Sequence, residues 1–201
     1  MATPLKKSEQ TRQQLLDAAL RVISRKGYSS ATVDEIVEEA GVSKGLAYYH
    51  FKNKAALAAD ILNTQLQQMI DAFEEAAAHS ASSHEALTQM LELFAQRLYD
   101  QHEFSRFFMT EIWREGRVWS RDMRSKTQRL VDVVAEQFAR GQREGAVATE
   151  VDPTFEAVAV MGALLTATAY YMGPEGAPSI ARQDFVRKII DFTHRSVAPL
   201  P

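Results

Sequence analysis

The chain has 201 residues, enough for one large domain or for a small domain joined to a medium-sized one. Hydrophobic residues make up 46% and charged residues 24%, proportions that are ordinary for a globular protein with a sizeable packed core. The absence of cysteine excludes disulfides, thiolate metal sites and cysteine nucleophiles, and it is consistent with a reducing cytoplasm.

Residues 1–14 carry no apolar segment of the kind found in signal peptides, so the sequence predicts a cytoplasmic protein. The longest uncharged apolar run, Ala157 to Met172, is shorter than the roughly 20 residues that span a membrane. It also contains Thr166 and Thr168, so we interpret it as a buried helix and expect no membrane contact.

The net charge of −3 conceals a difference between the two ends of the chain. Residues 1–54 contain nine basic and six acidic side chains, whereas the remainder contains 14 basic and 20 acidic ones. A basic N-terminal segment on an acidic body suggests that one end of the protein meets a polyanion. Because such a division also arises by chance, it counts only together with other features.

Three short helices are predicted in the N-terminal segment. The first has one apolar face, formed by Leu15, Ala19, Val22 and Ile23. It ends at Gly27, and Thr32 and Glu35 then have the spacing of a capping box for a second helix. This helix ends at Gly41, and Ser43 is predicted to cap a third.

Two short helices separated by a turn at Gly41 are typical of a helix-turn-helix. In that arrangement the first residues of the second helix project outward and fit the major groove of DNA. Helical hairpins of this size also occur as plain structure, so the pattern alone leaves both interpretations open.

The C-terminal part is predicted to be a bundle of about six helices. Asn53 is a candidate cap for a long helix, and the polar stretch His79–Ser83 separates that helix from one marked by apolar residues. Those residues are Leu87, Leu91, Phe94 and Leu98. Asp152 and Pro153 have the cap and first-position pattern of a later helix.

Further helices are predicted near residues 103–113, 119–143 and 180–197. No strand, repeat or heptad pattern occurs in the sequence. We therefore predict an all-α fold of about nine helices. It consists of an N-terminal helix-turn-helix DNA-binding domain at residues 1–53 and a C-terminal helical-bundle domain, for ligand binding and dimerisation, at residues 54–201.

Two segments carry a resemblance to a known family. Residues 27–45 read GYSSATVDEIVEEAGVSKG, and residues 48–57 read YYHFKNKAAL. Both resemble the TetR/AcrR family of transcriptional regulators, and the resemblance covers roughly residues 10–62. The C-terminal body resembles the family only in length and helix layout.

The resemblance implies contacts with double-stranded DNA along the second and third helices. Base contacts are implied at Lys44 and Tyr49, and a lysine can donate to the acceptors of guanine. Phosphate contacts are implied at Thr32, Tyr48, His50 and Lys54. The complete set of candidate DNA-binding residues is Thr32, Val33, Ser43, Lys44, Gly45, Leu46, Tyr48, Tyr49, His50 and Lys54.

One position pair departs from the family pattern. The family usually has a small polar residue where Leu46 stands and a larger apolar residue where Ala47 stands. Either Leu46 touches a thymine methyl group, or the helix is rotated slightly to bury it. The exchange affects the assignment of base contacts and leaves the predicted fold unchanged.

The resemblance also implies a homodimer built from the last two helices of each chain. A symmetric dimer implies a palindromic operator with half-sites about 34–36 Å apart, or a multiple of that distance. The helix from Thr154 to Met172 is apolar almost all round and needs cover on two sides, which supports a dimer. A central helix in a monomer is the alternative.

Aromatic and methionine side chains are frequent in the middle of the sequence, and we expect some to line a cavity for a small hydrophobic ligand. The candidates are Phe94, Phe104, Phe107, Phe108, Glu111, Trp113, Met161 and Tyr170. Glu111 and Tyr170 would be polar anchors. For each apolar residue alone, core packing is the simpler interpretation. A hydrophobic drug-like compound and a fatty acyl derivative both suit such a cavity.

An enzyme is not indicated. The five histidines are scattered without a His-x-x-x-His pair, and no phosphate-binding glycine loop or nucleophile elbow occurs. No cofactor or metal is expected. The sequence predicts a ligand-responsive transcriptional regulator, most simply a repressor released from its operator by a hydrophobic molecule. The alternatives are a regulator controlled by a protein partner and a helical interaction module that binds no DNA.

Overall fold

The computed structural model describes residues 7–100, Phe107, residues 121–171 and residues 179–198. The elements are α1 (Lys7–Lys26), α2 (Val33–Ala40), α3 (Lys44–His50), α4 (Lys54–His79), α5 (Ser83–Asp100), α6 (Arg121–Arg143), α7 (Pro153–Tyr171) and α8 (Arg182–Val197). Within these ranges the chain contains helices and no strand, which confirms the all-α prediction. The helix predicted near residues 103–113 lies outside the described residues, apart from the helical Phe107.

The chain divides into two compact units. The N-terminal unit contains α1, α2, α3, the first part of α4 through Thr64, and Phe107. The C-terminal unit contains α4 from Gln65 onward and α5 to α8. The division falls inside α4, whereas the sequence pattern placed the domain boundary at the start of that helix.

Local capping residues begin and end the helices of the N-terminal unit. The hydroxyl of Thr32 accepts a hydrogen bond from the backbone N–H of Glu35, and the Glu35 carboxylate accepts one from the backbone N–H of Thr32. This is the predicted capping box. Gly27 and Gly41 adopt φ angles of 80° and 66°, a left-handed conformation that glycine adopts without steric cost. The predicted caps at Ser43, Asn53 and Asp152 also form.

Three helices enclose the core of the N-terminal unit. Helix α1 packs against α2 and α3, and α2 packs against α3. Leu15, Ala19 and Ile36 are fully buried there, and Ala47 contributes from α3. Each large apolar side chain buried in this way stabilises the fold by about 1.5–3 kcal/mol relative to its exposed form.

The C-terminal unit has its own core. Helix α6 packs against α7, and α5 packs against both α6 and α8. Phe138, Ala157 and Phe185 are almost completely buried at its centre. Over the described ranges, none of the helices combines the length and the apolar character needed to cross a membrane.

Gly141, near the end of α6, is required by a close approach of the chain. A Cβ atom built on Gly141 would lie 2.6 Å from Cγ2 of Val147 and 3.1 Å from Oγ of Ser83. We expect Gly141→Ala to lower the free energy of unfolding by about 1–3 kcal/mol through overpacking. The gain in helix propensity, about 1 kcal/mol, offsets only part of this loss.

Urea unfolding of Gly141→Ala in the parent and in a Val147→Ala background measures the effect. The loss should be smaller when Val147 is already truncated, because its Cγ2 atom is then absent. An equal loss in both backgrounds would show that Val147 is not the source of the strain.

Candidate nucleic-acid interface

Helix α3 presents an exposed surface of large side chains. Leu46, Tyr48 and Tyr49 are 39%, 47% and 78% exposed, whereas Ala47 is buried in the core of the N-terminal unit. Phe51, which ends the helix, is buried as well. The helix is therefore held by its small residue and by Phe51, and it displays two tyrosines and a leucine to solvent.

The structure shows which of the exchanged residues, Leu46 and Ala47, faces solvent. A rotation of α3 that buries Leu46 is not seen, because Leu46 remains exposed and Ala47 points inward. The methyl groups of Leu46 are thus accessible for an apolar contact such as a thymine methyl group. Gly45 beside it is exposed, which lets the backbone approach a ligand closely.

The hydroxyl groups at the starts of α2 and α3 are used differently. Thr32 Oγ1 accepts from the Glu35 N–H at 3.2 Å and donates to Glu35 Oε2 at 3.1 Å. Ser43 Oγ accepts from the Leu46 N–H at 3.3 Å, a contact that does not use the hydroxyl proton. Ser43 can therefore still donate to a phosphate, whereas Thr32 would first have to release the Glu35 carboxylate.

Lys44 forms an ion pair with the preceding helix. Its Nζ lies 2.6 Å from Oδ1 of Asp34, and both side chains are more than half exposed. The hydrogen bond that Lys44 donates to the Asp34 carboxylate raises the pKa of Lys44, so the ammonium stays charged. Because an exposed pair is weak, Lys44 can exchange Asp34 for an acceptor on DNA.

Lys54 lies in a different environment from the one predicted. Its Nζ donates to the carbonyl oxygens of Tyr28, Ser29 and Ala31 at 2.6, 3.2 and 2.7 Å, and it lies 4.5 Å from the centroid of the Tyr28 ring. An ammonium has three N–H donors, and three carbonyls receive them. The structure gives Lys54 a role in holding the α1–α2 connection, and the phosphate contact implied by the family resemblance stays a prediction.

Other basic side chains of this unit also pair internally. Arg21 and Arg25 share the Glu39 carboxylate at 2.8 and 2.7 Å, and Lys26 pairs with Glu35. Arg12 pairs with Asp60 of α4. Glu35 and Glu39 are already among the six acids counted in residues 1–54, so only the pair with Asp60 reduces the net basic surplus of that segment.

Two further candidate DNA-binding residues, Val33 and His50, are half-buried. Val33 is half-buried in the first turn of α2. His50, the last residue of α3, is half-buried and makes an edge-on contact with the Tyr49 ring at a centroid distance of 5.2 Å. The His50 ring thus packs against one side of the exposed Tyr49 ring.

The candidate ligand residues do not form one cluster in the described structure. Phe104, Phe108, Glu111 and Trp113 lie outside the described residues. Phe94 and Met161 are partly buried against the core of the C-terminal unit. Phe107 is buried but belongs to the N-terminal unit, and Tyr170 is 79% exposed. The expectation that some of these residues line a cavity stays a prediction, and Tyr170 is exposed in the single chain.

Buried polar atoms in the C-terminal unit were missed by the sequence reasoning. Side-chain oxygens of Tyr99, Gln137, Thr168 and Thr193 are buried and have no hydrogen-bond partner in the described structure. Burial raises the pKa of Tyr99. Thr168 interrupts an otherwise apolar helix face, and this was the one feature that could have drawn attention to it. Over the described ranges, no three His, Asp or Glu side chains come together as a metal site.

Residues 15–61 match the family model described as "Bacterial regulatory proteins, tetR family". The chain is 46% identical over 54 residues to the HTH-type transcriptional regulator AcrR of Shigella flexneri. That match covers 27% of this chain and 25% of the relative, so it spans about a quarter of the curated protein. Similarity to this relative is confined to a short segment.

Solved structures extend the likeness to nearly the whole chain. The fatty acid degradation regulator FadR from Bacillus halodurans superposes with a TM-score of 0.85 at 17% identity, over 96% of this chain and 97% of that one. FadR from Bacillus subtilis, solved in complex with stearoyl-CoA, gives a TM-score of 0.79 at 18% identity, over 92% and 98%. At such identities these likenesses show the fold alone. Residues 15–61 thus match the tetR family of bacterial regulatory proteins, and nearly the whole chain shares the fold of these solved regulators.

Proposed function

We propose that this protein is a ligand-responsive DNA-binding regulator that reads a palindromic operator as a homodimer. The observation that carries the proposal is the exposed face of α3, where Ser43, Lys44, Leu46 and Tyr49 project from a helix held by its buried Ala47. A helix held in this way suits the major groove.

The chemistry of this face supports direct reading of base edges. Lys44 supplies a charged donor, Leu46 supplies methyl groups, and Tyr49 supplies a hydroxyl on a rigid ring. Ser43 can donate to the phosphate backbone and so fix the register of the helix. Thr32 and Lys54 are less suitable for DNA contact, because both are occupied by groups of the protein.

Substituting Lys44 and substituting Asp34 should change operator affinity in opposite directions. Lys44→Met should weaken operator binding about 10- to 100-fold, because a base contact is lost. Asp34→Asn should strengthen binding by a factor of about two to five, because Lys44 no longer leaves an anionic partner. Glu38→Gln, which removes an exposed acid from the same helix, is the matched control for net charge.

Fluorescence anisotropy with a labelled operator measures the three affinities. Equal strengthening by Asp34→Asn and Glu38→Gln would contradict a specific role for the pair, since only the net charge would then matter.

A homodimer is supported by the surface of α7. Exposed residues recur every three or four positions along the helix at Phe155, Val158, Gly162, Thr166 and Tyr170, and Thr154 and Ala169 are exposed as well. Phe155 is 70% and Tyr170 79% exposed, and Phe192 of α8 is 50% exposed. Large apolar side chains at the ends of a stripe with Gly162 in its middle suit close packing against a second copy.

Ligand binding in the C-terminal unit is supported by the unpartnered oxygens of its core. A buried hydroxyl without a partner costs about 1–3 kcal/mol, and a ligand that pairs with it recovers this cost. Tyr99 and Thr168 are the anchors that we propose, with Phe94 and Met161 in the apolar wall. We propose a ligand of a long-chain hydrophobic class, and the Bacillus subtilis FadR structure of the same fold, solved in complex with stearoyl-CoA, supports this choice.

We further propose that the ligand shifts the protein away from its DNA-binding state, so that the protein acts as a repressor. A ligand can do so only by binding the two states with different affinity. Helix α4 contributes residues to both units and is the element through which we expect the coupling to act.

Selection from a library of random duplexes tests the DNA-binding part of this proposal. The wild-type chain should enrich a palindrome, and Tyr49→Ala should enrich it far less. Recovery of random sequence by both proteins would contradict a sequence-reading α3. Titration of the selected duplex complex with stearoyl-CoA then tests release. Unchanged affinity would contradict an acyl ligand while leaving DNA recognition intact.

A further inference from the structure

A pocket of about 230 Å³ lies in the C-terminal unit, and none of the proposed ligand residues Phe94, Tyr99, Met161 and Thr168 lines it. The start of α5, the end of α6 with the following turn, and α8 form its walls. Apolar side chains make up most of the lining: Leu87, Leu91, Phe138, Val147, Ile190 and Val197. His84 and His194 also line it, with ring centroids 6.4 Å apart in an edge-on arrangement.

The hydroxyl oxygen of Thr193 in this pocket has no hydrogen-bond partner among the described residues, although its place in a helix would normally provide one. A threonine inside a helix commonly donates to the carbonyl four residues earlier, as Thr127 does to Met123 at 2.9 Å. Thr193 is 6% exposed, and its Oγ1 has no hydrogen-bond partner in the described structure. The hydroxyl therefore retains both its donor and its acceptor capacity inside an apolar pocket.

Thr193 also lines a second, smaller cavity. That cavity has a volume of about 30 Å³ and extends from Leu87, Leu91 and Thr193 to Val160, Leu164 and Met161, the last of which we place in the wall of the proposed ligand site. Thr193 thus stands where an outer pocket meets an apolar recess. A molecule with one oxygen can place it on Thr193 while its hydrocarbon part covers the apolar wall.

We propose that this pocket is a second small-molecule site, which binds a short aliphatic molecule carrying one neutral hydroxyl or carbonyl oxygen. The size follows from the volume, which is below the roughly 300–1,000 Å³ of sites for drug-sized ligands. The neutral character follows from the lining, which contains no Lys, Arg, Asp or Glu side chain among the described residues. An ionised ligand would lose its hydration there without gaining a fixed opposite charge.

Titration of the full-length, methyl-labelled protein with 1-hexanol, followed by NMR, tests the site. The methyl resonances of Leu87, Leu91, Ile190 and Val197 should shift and saturate. Hexanoate should bind at least several-fold more weakly than 1-hexanol. Absent or non-saturating shifts up to the solubility of 1-hexanol would overturn the proposal, and so would tighter binding of hexanoate.

Two matched variants locate the oxygen. Thr193→Val keeps the side-chain shape and should weaken 1-hexanol binding at least five-fold. Thr127→Val makes the same change at a hydroxyl that donates to the Met123 carbonyl and does not line this pocket, and it should leave binding unchanged. Thr88→Trp, which fills the pocket from its partly exposed rim, should abolish the shifts. Binding that is unaffected by Thr193→Val, or equally weakened by Thr127→Val, would place the ligand elsewhere.

Discussion

Val158→Arg in α7 should convert the protein from a dimer to a monomer and weaken operator binding at least 100-fold. Val158 is 52% exposed in the single chain, and it lies between the exposed Phe155 and Gly162 on the face that we propose as the interface. In a two-fold interface each arginine would lose its hydration without an opposite charge to pair with. A monomer presents one α3 and reads only half an operator.

Sedimentation velocity and operator titration measure the two effects. The substitution should not change the unfolding of the single chain, because Val158 is exposed there. Ala78→Arg places the same charge on an exposed position of α4 and is the matched control. If Val158→Arg sediments as a dimer and binds the operator as tightly as Ala78→Arg does, the interface lies elsewhere.

Lys54→Met should lower the free energy of unfolding of the N-terminal unit by about 2–4 kcal/mol. Three charge-assisted hydrogen bonds to the carbonyls of Tyr28, Ser29 and Ala31 are lost, and a single bond to a charged group contributes about 1.5–3 kcal/mol. Two of these contacts are partly buried, so water replaces them incompletely. A lysine at the first position of a helix is also disfavoured by the helix dipole, which these carbonyls offset.

Lys52→Met is the matched control, because Lys52 is an exposed lysine two residues earlier. In thermal unfolding, the midpoint of Lys54→Met should be lower than that of the wild type, and the midpoint of Lys52→Met should be close to that of the wild type. The phosphate contact implied by family resemblance predicts the opposite for Lys54→Met: unchanged unfolding, weaker operator binding and a shallower dependence on salt.

Features that depend on neighbouring residues were predictable from the sequence. The Thr32–Glu35 capping box, the caps at Ser43 and Asn53 and the left-handed Gly41 each involve residues within a few positions of one another. Their effect is local, so the helix ends followed directly from side-chain chemistry. The same holds for the apolar faces, which set the all-α fold.

Features that depend on distant parts of the chain were not predictable. The family resemblance implies a phosphate contact for Lys54, and its carbonyl partners could not be foreseen because they are more than 20 positions away in sequence. The exposure of Tyr170 and the unpartnered oxygen of Thr193 depend in the same way on how helices pack. Apolar composition alone does not distinguish a cavity wall from a subunit interface or a filled core.

Titration of the selected operator and of its isolated half-site, each at several salt concentrations, tests the central claim most directly. We predict that the full operator binds two chains at least 100-fold more tightly than the half-site, with affinity falling steeply as salt rises. Equal affinity for both duplexes, or binding of a single chain to the full operator, would contradict a dimeric regulator that reads DNA through two α3 helices.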